Sequence, residues 1–426
     1  VHNGGLIMNK KTKVLVLSDH PFSPSGVGTQ TKYMLDACLK TGRYSFICLG
    51  GAMSHTNYDP VKTAEWGDDL IVFPVDGYGN HDIVRSMMIN HKPDIVWFMT
   101  DPRFWHWLWE IENEIRAQAP MVYYHVWDNY PYPKYNEVFY SSCDKIVTIS
   151  KVTDDLVRNV APDVDVEYLP HAVDQNIFKP LEEEQYQELY DVLPTMKGRT
   201  VFFWNNRNAR RKQSGALIWW FKEFADKVGR ENVGLVMHTN PKDEHGQDLE
   251  AIINELGIND GTVVFSTTPV PSHILAQLYN MSACVINISD AEGFGLATLE
   301  SLACGTPIIV NMTGGLQEQV TDGENWFGIG IEPSSKSVIG SQQVPYIYED
   351  RISKEDFIDA LVKIYEMSPE ERQKLGHDGL EHVTKNYNFK QFEERWINLL
   401  DDLHESHGSW EERKKYVPWT LEEITP

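Results

Sequence analysis

The chain has 426 residues, 42% of them hydrophobic and 23% charged, with 38 lysines and arginines against 62 aspartates and glutamates for a formal net charge of −24. That length holds about two to four folded units of roughly 100–200 residues each, and a balance this acidic repels phosphate backbones and anionic membranes, which argues against duplex nucleic acid or a lipid surface as partner. Five cysteines scattered singly, with no C-x-x-C spacing, suggest neither a zinc site nor a disulfide framework and fit a reducing, cytoplasmic setting.

Val1–Ile7 read as a leader ahead of a native start at Met8. No stretch approaches the ~20 apolar residues of a membrane span, and the start lacks a signal-peptide plan, so a soluble chain without a transmembrane segment is expected. Lys13–Asp19 is an apolar run bounded by charge and turn residues, the mark of a strand buried on both faces. A glycine-bearing loop, His20–Gly28, and a helix over Thr29–Lys40 follow. Further strands are predicted at Ser45–Leu49, Leu70–Val75, Ile95–Met99, Met121–Val126 and Lys145–Ile149, each spaced for a crossover helix. After an acidic, helix-like segment, Leu181–Leu193, a second series runs Thr200–Trp204, Val233–His238, Thr262–Phe265, Ala283–Ile288 and Pro307–Val310. Helices over Lys354–Met367, Pro369–Lys385 and Lys390–His404 precede an acidic tail. This alternation points to two α/β, Rossmann-like halves with parallel sheets, whose ligands would lie in a cleft at the carboxyl ends of the strands.

Four segments carry chemistry. In Ser289-Asp-Ala-Glu292-Gly293-Phe294-Gly295-Leu296-Ala-Thr298-Leu-Glu300, a strand ends, a flexible loop follows, and a helix begins close to Leu296. Its first-turn amides form an anion site that the glycines let a phosphate approach. Glu292 and Glu300, eight positions apart, could grip hydroxyls on opposite sides of that phosphate. In Trp204-Asn-Asn-Arg207-Asn-Ala-Arg210-Arg211-Lys212, four of the last six residues are basic in a very acidic chain, and a strand end with arginine and lysine can neutralise a diphosphate. Ser23-Pro-Ser-Gly26-Val-Gly28 holds half of a dinucleotide fingerprint, but its loop is too long and the next strand ends Leu49-Gly50-Gly51 without a ribose-binding acid, which argues against NAD. Tyr124-His125-Val-Trp127-Asp128-Asn129-Tyr130 ends a strand facing the cleft, where a histidine can donate to a sugar and aromatic faces can pack on one.

The segment from Ser289 through Gly305-Thr-Pro307 resembles the signature of the retaining glycosyltransferases of the GT-B fold (glycosyltransferase family 4-like, glycosyl transferases group 1). The resemblance implies two Rossmann-like domains facing across a cleft, an acceptor-side domain over 8–180, a donor domain over 198–385, and a terminal helix over 386–426 that crosses back and carries the tail. It implies a transferase moving a sugar from a nucleotide diphosphate sugar (UDP-, GDP- or ADP-linked) to a hydroxyl of a glycan or other acceptor, with anomeric configuration retained and without a metal or other cofactor. By position, Glu292 meets the donor sugar, Gly293, Phe294, Gly295, Leu296 and Thr298 lie along the diphosphate, and Glu300 binds the ribose. Arg207 and Lys212 hold the diphosphate, with Arg210 or Arg211 open as a substitute for one of them. Gly26 and Gly28 lie beneath the donor, His125 near its sugar, and Val270 at the nucleotide base. Trp127, Asp128 and Tyr130 fall on the acceptor side, where Asp128 is separated from His125 by two residues. Leu169-Pro-His171-Ala-Val-Asp174 resembles a segment at the end of the family's first domain. Ser334–Arg351 and the tail beyond His404 match nothing in the family. The alternatives are a GT-B epimerase or hydrolase of nucleotide sugars and a non-catalytic nucleotide-sugar-binding protein; an NAD-dependent oxidoreductase is disfavoured by the missing ribose acid.

Overall fold

A computed structural model describes residues 10–424; the leader Val1–Ile7 and Met8 lie outside them. Two parallel sheets dominate. In the first, the strands run in the order Val61–Lys62, Leu70–Pro74, Tyr44–Gly51, Thr12–Asp19, Ile95–Thr100, Met121–His125, Lys145–Thr148, Val166–Tyr168, all parallel except the two-residue edge strand. In the second the order is Val263–Ser266, Val233–His238, Thr200–Asn205, Cys284–Asn287, Ile308–Asn311, Gly328–Ile331, all parallel. Val14 to Leu17 and Phe202 to Trp204 are fully buried because helices cover both faces. In each sheet the chain starts mid-sheet, winds outward one way and then the other, so a crevice opens at the carboxyl ends beside the first strand. The two crevices face each other, the expected GT-B arrangement.

Local departures from the predicted elements have simple causes. The first helix spans Gly26–Leu39, beginning three residues before the predicted start, because the Ser25 hydroxyl caps it by accepting from Gly28 N at 3.0 Å. Gly26 and Gly28 therefore sit in a first helical turn, not a loop. The acidic segment Leu181–Leu193 is broken into a turn at Glu183–Gln185 and a short helix, Leu189–Val192. A capping box between Glu182 and Gln185 closes one turn only, and no apolar stripe carries it further. The structure adds Gly328–Ile331 to the second sheet and an antiparallel hairpin, Ser335–Ile339 with Ile347–Arg351, within the unassigned stretch.

The helix Phe389–His407 buries Phe392, Trp396, Leu399, Leu400 and Leu403 on one stripe. That stripe packs on the first sheet's side: Trp396 meets Trp97 and Tyr124 edge-on at 5.7 and 4.8 Å, and Asp401 accepts from Tyr44 Oη at 2.5 Å. Beyond it the tail is pinned near the amino ends of the first sheet's strands, away from the cleft. Ser409 donates to Asp94 at 2.7 Å, Arg413 pairs with Asp144 at 3.0 Å, and Tyr416 donates to Asn113 at 2.6 Å. Among the described residues no helix is long and apolar enough to cross a membrane.

Candidate active site

Between the facing crevices lies a cavity of about 960 Å³. The first sheet contributes Ser25 and Gly26 after Thr12–Asp19, Thr100 and Asp101 at the end of Ile95–Thr100, and Trp127, Asp128 and Asn129 after Met121–His125. The second contributes Asn205, Asn206 and Arg210–Lys212 after Thr200–Asn205, Pro269 and Val270, and Ala291–Leu296 after Cys284–Asn287. The helix starts of the two halves come close where a Cβ on Gly26 would lie 2.8 Å from Leu296 Cδ1. Glycine at this position leaves the end of the Leu296 side chain free of overlap.

The helix Leu296–Ala303 has Gly295 as its N-cap, with no side chain capping it, and its first internal bond runs from Leu299 N to Gly295 O at 3.2 Å. The amides of Leu296, Ala297 and Thr298 precede that bond, so they and the helix dipole form an anion site at the cavity wall. Cations gather around it. Lys212 Nζ is hydrogen-bonded to Glu292 Oε2, and Arg211 lies 3.8 Å from Glu292 Oε1 while donating to Ala291 O. Asn287 Nδ2 donates to Glu292 at 3.1 Å. Burial alone would raise the Glu292 pKa, but Lys212 and Arg211 more than offset it and hold the carboxylate down at about 2. Burial depresses the Lys212 ammonium, with Glu292 pulling the other way. Asp128, facing Arg211 and Glu292, is pushed up to about 6, chiefly by burial.

Glu300 lines the cavity one turn further on and accepts from Tyr279 Oη at 2.5 Å; burial pushes its carboxyl up to about 7. Its folded pKa lies above the unfolded value of 4.5, so its contribution to stability is fully present below about pH 4.5 and is lost as pH rises through about 7. Glu300→Gln should therefore melt progressively higher than the parent as pH is raised across that window; a difference that stays flat with pH would contradict the buried, neutral carboxyl.

The structure brings Gly26, Trp127, Asp128, Lys212, Val270, Glu292, Gly293, Phe294, Gly295, Leu296 and Glu300 to one cavity. The other five expected residues do not line it. His125 is fully buried behind the wall, with Nε2 on Tyr140 Oη at 2.7 Å and Nδ1 on Tyr123 Oη at 3.1 Å, and burial lowers its pKa to about 3. It is a neutral core residue rather than a donor to the sugar. Replacing it with phenylalanine should cost about 1–3 kcal/mol, the penalty of an orphaned hydroxyl, seen as a lower melting temperature with nucleotide affinity unchanged. Arg207 points outward to Asp243 at 2.8 Å, whereas Arg211 lines the cavity beside Glu292. Gly28 packs against the carbonyl of His20, which a Cβ would approach to 2.7 Å, and does not reach the cavity. The Thr298 side chain is turned to Gln319 Oε1 at 2.6 Å, leaving only its amide near the anion site. Tyr130 faces out, donating to Asp155 at 2.7 Å.

Sequence reasoning missed the hairpin residues Ile339, Ser341, Val344 and Ile347, which wall the cavity from the second half, and Asp101 and Arg103 from the first. Alternation in Ser335–Ile339 is a weak strand signal, and its seven-residue loop has no short hairpin-turn signature. His171, in the weakly marked segment, also lines the cavity, held by Tyr124 Oη at 2.7 Å and set edge-on to Phe294 at 5.0 Å.

Residues 195–381 match the family profile of the glycosyl transferases group 1. Among curated relatives, the D-inositol 3-phosphate glycosyltransferase of Frankia alni is 40% identical over 23% of this chain and 24% of its own length. That of Paenarthrobacter aurescens is 27% identical over 48% of each. The chain thus spans about a quarter to a half of the length of these relatives. Solved structures match nearly end to end at low identity: the sucrose-phosphate synthase of Thermosynechococcus elongatus has a TM-score of 0.73 at 15% identity, covering 93% of this chain and 100% of that one. An Anabaena protein solved in complex with UDP and glucose has a TM-score of 0.66 at 14% identity, covering 92% and 100%.

Proposed function

We propose, from the premise that residues 195–381 belong to the glycosyl transferases group 1, that the chain transfers a sugar from a nucleotide diphosphate sugar to an acceptor hydroxyl with retention at the anomeric carbon. The observation that carries this reading is the convergence of Lys212 and Arg211 on Glu292 beside the open amino end of the helix Leu296–Ala303. A diphosphate entering there would replace one carboxylate by another anion on Lys212 and Arg211 and accept from the helix amides. Glu292, released from part of that pairing, would turn to the donor sugar, while Glu300 would meet the ribose.

In this reading the bond from C1 to the leaving phosphate oxygen breaks as the acceptor oxygen bonds C1 from the same face. The acceptor proton passes to the departing phosphate oxygen, and the nucleotide diphosphate leaves with its new charge held by Lys212, Arg211 and the helix dipole. These groups supply the charge stabilisation a divalent ion would otherwise give, so turnover should survive chelation by EDTA. Five buried, unpaired cysteines accord with a cytoplasmic site of action. A thermal-shift panel of UDP, GDP and ADP with their common sugars tests the reading. One nucleotide diphosphate should raise the melting temperature and its sugar should be turned over; no shift with any of them would refute it, and binding without turnover would leave a carrier instead.

A further inference from the structure

The hairpin Ser335–Arg351 leaves the second sheet's half and reaches across the cleft. Tyr348 N donates to Tyr130 O at 2.7 Å, Asn129 Nδ2 donates to Tyr348 O at 2.6 Å, and Tyr135 Oη donates to Tyr346 O at 2.8 Å. Val344 and Ile347 pack with Trp127 and Leu156 of the first half. The same strand, Ile347–Arg351, is also tied to the donor loops: Asp350 N donates to Asp290 O at 2.9 Å, and Glu349 pairs with Arg210 at 2.6 Å. One element thus holds the loop carrying Asp128 against the loops carrying Arg210 and Glu292. With Phe104 and Trp127 it gives this side of the cavity an apolar wall, from Ile339, Val344 and Ile347.

Charge narrows what that wall can face. Among the described residues four cations line the cavity, and each already has a carboxylate: Arg103 with Asp101 at 3.0 Å, Arg210 with Glu349, and Arg211 and Lys212 with Glu292. A donor diphosphate would engage the last two. What remains beside the hairpin is Asp128, whose carboxylate accepts hydroxyls and repels phosphate. Building on the transferase reading, we infer that the hairpin and residues 127–129 form an acceptor subsite for an uncharged hydroxyl compound with a flat or apolar face, and that the hairpin shields the donor sugar there from water.

The test follows free-sugar release from the donor without acceptor, in the parent, in Val344→Asp and in a chain whose residues 340–346 are replaced by Asn-Gly, a two-residue turn suited to the Ile339–Ile347 pair. Release should rise about tenfold in both variants as water gains access, with nucleotide diphosphate affinity unchanged. Unchanged release overturns the inference, as does loss of nucleotide affinity in a variant that still melts cooperatively. In the parent, methyl glucoside or inositol at high concentration should suppress free-sugar release, and glucose 6-phosphate or inositol phosphate should not. Equal or stronger suppression by the phosphorylated members, or none by either neutral one, also overturns it. If no nucleotide diphosphate binds the parent, the transferase reading itself has failed, which is distinct from all of these results.

Discussion

Lys212→Ala and Arg211→Ala should each weaken nucleotide diphosphate binding by about 10–100-fold and slow transfer by roughly 10²–10³-fold, while Arg207→Ala changes neither by more than about twofold. The contrast rests on direction. Lys212 and Arg211 point into the cavity against Glu292, and each would give a charge-assisted hydrogen bond to the diphosphate. Arg207 is exposed and engaged with Asp243, the kind of surface pair worth about 0–1 kcal/mol. Lys212→Ala should also melt lower, because it strips a buried carboxylate of its nearest cation; Arg211 and Asn287 keep the loss below that of a fully orphaned charge. Calorimetric titration with the nucleotide diphosphate separates the cases. Equal losses for Arg207→Ala and Arg211→Ala would mean that the loop rearranges on binding.

Gly314→Ala should lower transfer by about 100-fold while the protein still folds, the scale expected when a catalytic group is moved by about an ångström. Gly314 has φ +49, and a Cβ there would overlap the backbone carbonyl of Glu292. Backbone cannot yield as a flexible side chain does, so the loop must shift. The bond from Gly315 N to Glu292 O, 3.1 Å long, fixes that loop and would be lost with the shift. Glu292 then leaves its alignment with Lys212 and Asn287. Single-turnover rates with saturating donor read the effect, and a rate within about threefold of the parent would show that Glu292 tolerates displacement.

The β/α alternation was legible because strands buried on both faces read as short apolar runs between turn residues, and all eleven predicted strands lie within two residues of the observed ones at both ends. The loop from Glu292 to Glu300 was legible for a different reason: a strand end, two glycines and a helix start are consecutive, so their joint geometry is local. Short-range pattern also exposed the basic cluster at Arg207–Lys212. It could not say which arginine faces inward, because a loop leaving a strand keeps no period and the choice is made by partners far along the chain, Asp243 for one and Glu292 for the other.

Other outcomes were decided only by tertiary packing. His125 ends a strand that points at the cleft, yet Tyr123 and Tyr140 close around it, and desolvation leaves it neutral and out of reach. Gly26 and Gly28 look alike in sequence, but one meets Leu296 across the cleft and the other packs on its own loop. The hairpin carries no family motif, and its role comes from contacts with residues about 200 positions away, Tyr130, Asn129 and Tyr135. The sequence by itself determined the two-sheet plan and the anion site, because both arise from neighbouring residues through backbone geometry and the burial of apolar runs. Which side chains face the cavity, and what walls its acceptor side, depended on the two halves coming together, since only that contact sets the burial and charge partners of each group.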